Sequence, residues 1–463
     1  MSSAERVPLW KRHGLSAGEL LGGIAGSAVA LPQSMGLGLL LFTAIGVDAS
    51  TGAMAGLLGA AVLSLSSGLV GATRGMLSAP NGPVTMLLVA SLGTLVAHGV
   101  EGPGLLLALS VILLVAGLLQ VLFGLTGGGH LVKYIPFPAV AGLVTAIGML
   151  MILSQVASLT GGALEGVDGL WSGVPALTAV VTLAGIRVTR RVSPRIPGVI
   201  GGFLAGIACF HLLGLIMPGP LPATWVVGEI PALHATVRAP ELSAFLGLPW
   251  LHVLAAALAV ALLASIDCLL TAVVADGRTG ARHDARRELA AQGTAQLLVG
   301  LLGGLGGGGT KGSTLVAIDT GGGRWAAVVA GLVFLSLLLF MGPVGRFLPV
   351  SVLAGVIVYV GFGMIDVNIL SWIQRRRLRM DALVAVAVIG ATLAYDLLAG
   401  LVVGVVGSVF LFIRGQLLLP VLHERASGKQ RHSLKERSEE ERLQLDRNGD
   451  RIVYVELRGN LCF

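Results

Sequence analysis

The chain has 463 residues, 55% of them hydrophobic and only 12% charged, with a mean hydropathy of +0.88 and a formal net charge of +7. Soluble domains carry about 25% charged residues, so this composition excludes an ordinary soluble enzyme, and the apolar runs lack the short alternating pattern of a membrane β-barrel. The positive charge is no nucleic-acid footprint: it gathers at Lys11–His13, Arg187–Arg195, Arg278–Arg287, Arg375–Arg379 and the tail, as in the cytoplasmic loops of a helical membrane protein.

From the N-terminus, residues 1–14 form a charged tail, and no cleavable signal peptide is evident, so the first span serves as its own targeting signal. That span runs from Leu15 to Ile45 and contains Pro32, which frees backbone carbonyls in mid-span, and the polar Gln33. A second span covers Thr51 to Val70. After GATRGMLSAP the third starts late, at Asn81-Gly82-Pro83, so its N-terminus is expected well inside the membrane with Thr85 in its first turn. Such an end attracts anions through unpaired N–H groups and the helix dipole. Spans follow at Leu105–Leu125, Pro136–Leu159, Val174–Val188 and Ile196–Met217, and then a long connection, Pro218–Pro249.

The second set opens at Leu251 with an apolar run that carries Asp267 and ends near Asp276. A basic turn, a helix of small residues and a glycine break at Gly303–Gly312 come next, the break holding Thr310 and Lys311 and followed by Ser313. Spans at Trp325–Met341 and Leu348–Ile369 and two short ones within Asp381–Phe412 complete about fourteen, with both termini inside by the basic-loop rule. Broken segments occupy the third place in each set of seven. An odd number of spans per repeat inverts the second copy, and paired broken segments in matching places point to a transporter site. The fold class is therefore all-α polytopic, a 7+7 inverted repeat over residues 15–414, with repeats at about 15–217 and 251–414. Residues 415–450 read as a cytoplasmic linker whose charged part, from His423, is a solvent-exposed helix. Residues 451–463 alternate as a strand and bend at Gly459–Asn460.

A carboxylate near the bilayer centre costs at least a few kcal/mol, so Asp267 is expected to face a cavity, a partner or an ion. Its plainer alternative is an ion pair with Lys311 or an arginine. Thr271, four residues on, shares its face, and otherwise bonds back to its own helix. Thr85, Gly309, Thr310 and Lys311 offer an anion polar groups and exposed N–H groups, with close packing and local hydrogen bonds as their alternatives. Gln33 is either a substrate contact or an interhelical hydrogen bond. No His/Cys metal cluster, nucleophile motif or nucleotide loop appears, since GGGGTKGS lacks the phosphate-loop spacing; the chain reads as no enzyme and needs no enzymatic cofactor. Cys209, Cys268 and Cys462 imply no disulfide framework.

Several stretches resemble the sulfate-permease (SulP) family of anion transporters. These are ALPQSMGLG, SAPNGPVTMLL, SIDCLLTAVVADGRTGARHDARRELAAQG, VLAGVIVYVGFGMID and, in the tail, IVYVELRGNLCF, which is similar to the opening strands of the family's STAS domain. The resemblance implies core and gate domains, a homodimer in the cell (inner or plasma) membrane, and an anion held between the third and tenth spans. The aspartate version of the eighth-span motif looks most like the sodium-dependent bicarbonate branch. There the carried-over sodium ligands are Asp267 and Thr271, with Ser313 in the cation set, and the anion contacts are Thr85, Gly309, Thr310 and Lys311. Where the family usually reads GGLPxTGAxxRS, this chain reads GGLGGGGTKGST, so Gly306 stands at the proline position and no basic side chain stands near Ser313 except Lys311. The expected function is sodium-coupled bicarbonate symport. Proton-coupled or exchange transport of sulfate, another oxyanion or a dicarboxylate, and an anion channel, stay open beside it.

Overall fold

The computed structural model describes residues 16–127, 137–160, 173–193, 196–216, 222–231, 245–340, 342–375, 378–395, 397–417, 422–427 and 438–457. The N-terminal tail, Arg376–Arg377 and the Gly459–Asn460 bend lie outside them. The first repeat consists of α1 (Ala17–Ala44), α2 (Ala49–Val70), β1 (Ser78–Pro80), α3 (Gly82–Ala97), α4 (Pro103–Thr126), α5 (Phe137–Ser154), α6 (Val174–Val192) and α7 (Gly198–Ile216). The second consists of α8 (Trp250–Thr279), α9 (Ala285–Leu302), β2 (Gly307–Gly309), α10 (Lys311–Asp319), α11 (Arg324–Phe340), α12 (Val350–Met364), α13 (Arg379–Ala394) and α14 (Leu397–Leu417). Short helical pieces at Val156–Leu159 and Asn368–Gln374 extend α5 and α12 after breaks.

The packing repeats itself when each helix is exchanged for the one seven places away. α2 lies against α11 as α9 lies against α4; α1 lies against α10 as α8 lies against α3. α6 pairs with α7 as α13 pairs with α14, and α5 against α12 maps onto itself. The β1–β2 pairing also maps onto itself, which places it on the pseudo-twofold of an inverted 7+7 repeat. Helices α1–α4 and α8–α11 form the core domain; α5–α7 and α12–α14 form the gate.

Among the described residues, seven helical segments are long and apolar enough to cross a membrane, α5 and α12 counted with their short extensions, and α10 with α11 makes a further pair bent by 117°. Helix α9 falls short of that test because it carries Arg286, Arg287 and Glu288 in its first turn and then Gln292 and Gln296; of these Glu288, Gln292 and Gln296 are buried. The face with these three residues is turned into the protein, while Leu298 and Leu301 are exposed. The close approach of α4 and α9 depends on Gly117 and Gly293: a Cβ on either would stand 2.7 Å from the other's carbonyl oxygen.

Two buried acids fasten loops across the repeats. Glu288 Oε2 accepts from the backbone of Ala72 (2.8 Å) and Thr73 (2.9 Å) and from the Thr73 hydroxyl (2.9 Å), which fixes the loop into β1. Glu19 Oε2 accepts from the amides of Gly323 and Ala326, both at 2.8 Å, and so serves the N-terminus of α11. In the basic turn, Asp276 accepts from the His283 backbone (3.0 Å) and meets its ring (2.7 Å).

The tail departs from the sequence reading. Residues Leu422–Ser427 form β3, antiparallel to β4 (Val453–Leu457), where an exposed helix was expected; helix α15 is confined to Glu439–Asn448. The physical reason lies in the partner. HERAS has no strand pattern of its own, whereas VYVEL alternates strongly and supplies a ladder for it. A capping box at Ser438 and Glu441 then starts α15.

Candidate anion and cation site

The site is built on two strands that could not exist singly. Ser78, Ala79 and Pro80 pair antiparallel with Gly309, Gly308 and Gly307. Each strand runs directly into a short helix, so the N-termini of α3 and α10 meet at the centre of the core domain and the helices leave in opposite directions. Helix α9 stops at Leu302 because Gly303 takes a left-handed φ of 73° and returns its amide to Val299 O. The chain is then extended until Thr310, the N-cap of α10. Lys311 and Gly312, read as part of the break, lie in the first turn of that helix.

The strands are held from both sides. Gln292 Nε2 donates to Ser78 Oγ at 2.6 Å, and Gln296 Oε1 accepts from the Gly307 amide at 3.1 Å. Ser64 Oγ donates to Ser78 O at 2.6 Å. Leu77 is clamped by α10: its carbonyl accepts from Thr310 N (2.9 Å) and Thr310 Oγ1 (3.1 Å), and its amide donates to Thr314 Oγ1 (3.0 Å).

Helix α3 begins with Asn81 as N-cap, its Oδ1 accepting from Val84 N at 3.2 Å, and with proline in the first turn. Thr85 is fully buried, and its hydroxyl has no hydrogen-bond partner among the described residues. A buried hydroxyl without a partner costs free energy. At the other end, the first α10 amide with an intrahelical acceptor is that of Thr314, 3.0 Å from Thr310 O. The amides of Lys311, Gly312 and Ser313 precede it in a turn that has no such acceptors. This turn borders open space: Lys311 and Gly312 are exposed, and a Cβ on Gly312 would meet nothing within 4 Å.

Helix α8 passes behind both ends. Asp267 Oδ2 accepts from Asn81 Nδ2 at 2.8 Å, and Oδ1 stands 3.4 Å from Lys311 Nζ. The Asp267 side chain is 13% exposed and that of Lys311 43%, so the pair has a protein-facing acid and an open-facing base. Thr271 Oγ1 lies 2.9 Å from Asp267 O and 3.1 Å from Gly309 O, which ties α8 to β2. Ser313 is buried with its hydroxyl against that of Thr310.

Of the residues singled out in the sequence, Asp267, Thr271, Gly309, Thr310, Lys311 and Ser313 are therefore contiguous, and Thr85 lies in the first turn of the facing helix. Gln33 is half-buried on α1 and no hydrogen bond of its side chain joins it to them. Asn81 was legible as a helix start but not as the donor to Asp267, because 186 residues separate the two. Gln292 and Gln296 carried a faint signal, two amides one turn apart on a helix of small residues. Asn81→Ala is expected to lose about 1 kcal/mol of capping together with the Asp267 hydrogen bond. Asn81→Ser keeps a cap oxygen, so thermal unfolding in detergent should rank the parent first, serine second and alanine last.

The sulfate permease family model matches residues 17–388. The bicarbonate transporter BicA of Synechocystis is 30% identical over 96% of this chain and 78% of its own length. The putative sulfate transporter YvdB of Bacillus subtilis is 27% identical over 86% of this chain and 73% of its own length. Among solved structures, the transmembrane domain of a cyanobacterial BicA superposes with a TM-score of 0.70 at 29% identity, covering 83% of this chain and 97% of that one. A murine solute carrier 26 family member A9 anion transporter, solved facing inward, shares the fold with a TM-score of 0.71 at 18% identity, over 87% of this chain and 70% of that one. These proteins are transporters and not enzymes. Paired half-helices, a buried acid behind them and a family match over most of the chain lead to one conclusion: this protein is an anion transporter of the sulfate permease family.

Proposed function

We propose that the chain is a secondary transporter for a small oxyanion, bicarbonate first, with a sodium ion as co-substrate. The observation that carries this reading is the β1–β2 pairing, which brings the N-termini of α3 and α10 together beside Asp267. Two helix ends of positive sign suit an anion, with Thr85 and the α10 amides as donors. The Asp267 carboxylate and the Thr271 hydroxyl are oxygen ligands for a cation, whose charge would offset that of the anion. The core domain then moves past the gate and opens the site to each side in turn. The similarity to the bicarbonate transporter of Synechocystis supports the choice of bicarbonate. In the same reading the protein works as a homodimer in the cell membrane with both termini in the cytoplasm.

Sulfate transport with proton coupling or by exchange is the second reading. It is favoured by the likeness to the putative sulfate transporter of Bacillus subtilis and by the positive charge of Lys311 in the site. Uptake of labelled bicarbonate and of labelled sulfate into proteoliposomes, with and without an inward sodium gradient, separates the two. Bicarbonate uptake accelerated by sodium is the expected result. Sulfate uptake indifferent to sodium would replace the first reading with the second.

A further inference from the structure

Lys311 is an odd residue to find where it is. The first turn of a helix disfavours positive charge, because the dipole and the unpaired amides already present a positive end. Its ammonium does not pair with the acid on its own helix, since Asp319 pairs instead with Arg278 at 3.5 Å. It lies 3.4 Å from Asp267 Oδ1, on the carboxylate that a coupling cation needs. The other oxygen, Oδ2, is taken by Asn81. The negative charge of Asp267 thus has one unit positive charge already at hand, attached to the chain by a flexible four-carbon stem.

Resting on the sodium reading above, we infer that Lys311 is a tethered competitor of the coupling cation, so that its ammonium and a sodium ion hold Asp267 in turn. Two positive charges cannot share one carboxylate within a few ångströms without strong repulsion, so sodium gains Asp267 only as the ammonium leaves. The departure is unhindered on the open side: the lysine is 43% exposed and Gly312 beside it adds no side chain. The released ammonium stays in the turn of α10 that faces the anion. An anion bound there draws it from Asp267, and sodium on Asp267 frees it for the anion. Each ligand therefore raises the affinity for the other through a single side chain, by an equal factor in both directions.

The test is sodium-22 binding to the purified chain in detergent, for the parent, Lys311→Met, Lys311→Gln and Lys311→Arg, with and without bicarbonate. Removing the charge should lower the half-saturating sodium concentration about tenfold, the factor given by about 1.4 kcal/mol of lost competition. Arginine should keep it near the parent value. Bicarbonate should lower it in the parent and leave it nearly unmoved in the methionine and glutamine variants; the two uncharged variants guard against one of them failing to fold. Unchanged sodium affinity in both uncharged variants overturns the competition and leaves the sodium reading intact. Sodium binding confined to the uncharged variants supports the competition while overturning sodium coupling of the parent. Binding by none of the proteins overturns both.

Discussion

Asp267→Asn is expected to reduce sodium-driven anion uptake about a hundredfold or more, a factor equivalent to about 2.7 kcal/mol. The substitution preserves shape, and its amide oxygen can still accept from Asn81, so the fold of the core domain should persist. What it removes is the charge that balances Lys311 across 3.4 Å and the carboxylate that would hold a cation. Breaking a buried pair by neutralising one partner typically costs about 3–5 kcal/mol, reduced here because Lys311 is 43% exposed. Initial rates in proteoliposomes check it, with thermal unfolding to verify that the variant is folded. Asp267→Glu, with charge kept and reach lengthened, should retain a fraction of the rate. Full uptake with unaltered sodium dependence in Asp267→Asn would remove the acid from the site.

The second large effect is expected at Gly307. A Cβ there would stand 2.7 Å from both the Ala79 carbonyl carbon and Pro80 Cα, and these are backbone atoms that cannot rotate aside. Gly307→Ala must therefore part β1 from β2, and with them the two helix ends, so transport should be abolished and the unfolding temperature lowered. The neighbouring glycines behave differently. A Cβ on Gly308 would meet Asn81 Nδ2 at 3.5 Å and Ala264 O at 3.7 Å, which is ordinary contact, and one on Gly312 would meet nothing. Alanine at either should be tolerated in the fold. Equal tolerance at all three positions would mean that the strand pairing is not what holds the site.

These contrasts mark where the sequence was readable. The spans were legible because bilayer thickness and hydrogen-bond demand leave few options: long apolar runs become helices, and Asn81-Gly82-Pro83 is a start signal wherever it stands. The break at Gly303–Gly312 was legible as a break. Its internal order was not, since ten residues with this much glycine offer no side-chain pattern to say which of them pair with Ser78–Pro80. Asp267 was conspicuous through its cost in an apolar run, and pairing with Lys311 stood among the alternatives. Choosing between that pair and a free carboxylate required knowing how β2 aims the first turn of α10. Gln33 was conspicuous for the same reason as Asp267, yet a neutral amide is less demanding and finds no bond with the site. In the tail, β3 was hidden because its partner lies beyond α15 in the chain.

The pairing of β1 with β2 also has a consequence for how the protein is made. More than two hundred residues separate the two strands. At about 5–20 residues per second, synthesis delivers the second strand on the order of 10–45 seconds after the first. During that interval the backbone of Ser78–Pro80 lies in the membrane without its ladder, at a cost of several kcal/mol for each unserved polar group. Ser64, already inserted in α2, can serve the Ser78 carbonyl from the start. Gln292 and Gln296 emerge just ahead of Gly307–Gly309, so the stretch that completes the sheet arrives with its own clamps. A nascent first repeat is therefore a dependent half, and the insertion machinery must shelter its open strand until the second repeat closes over it.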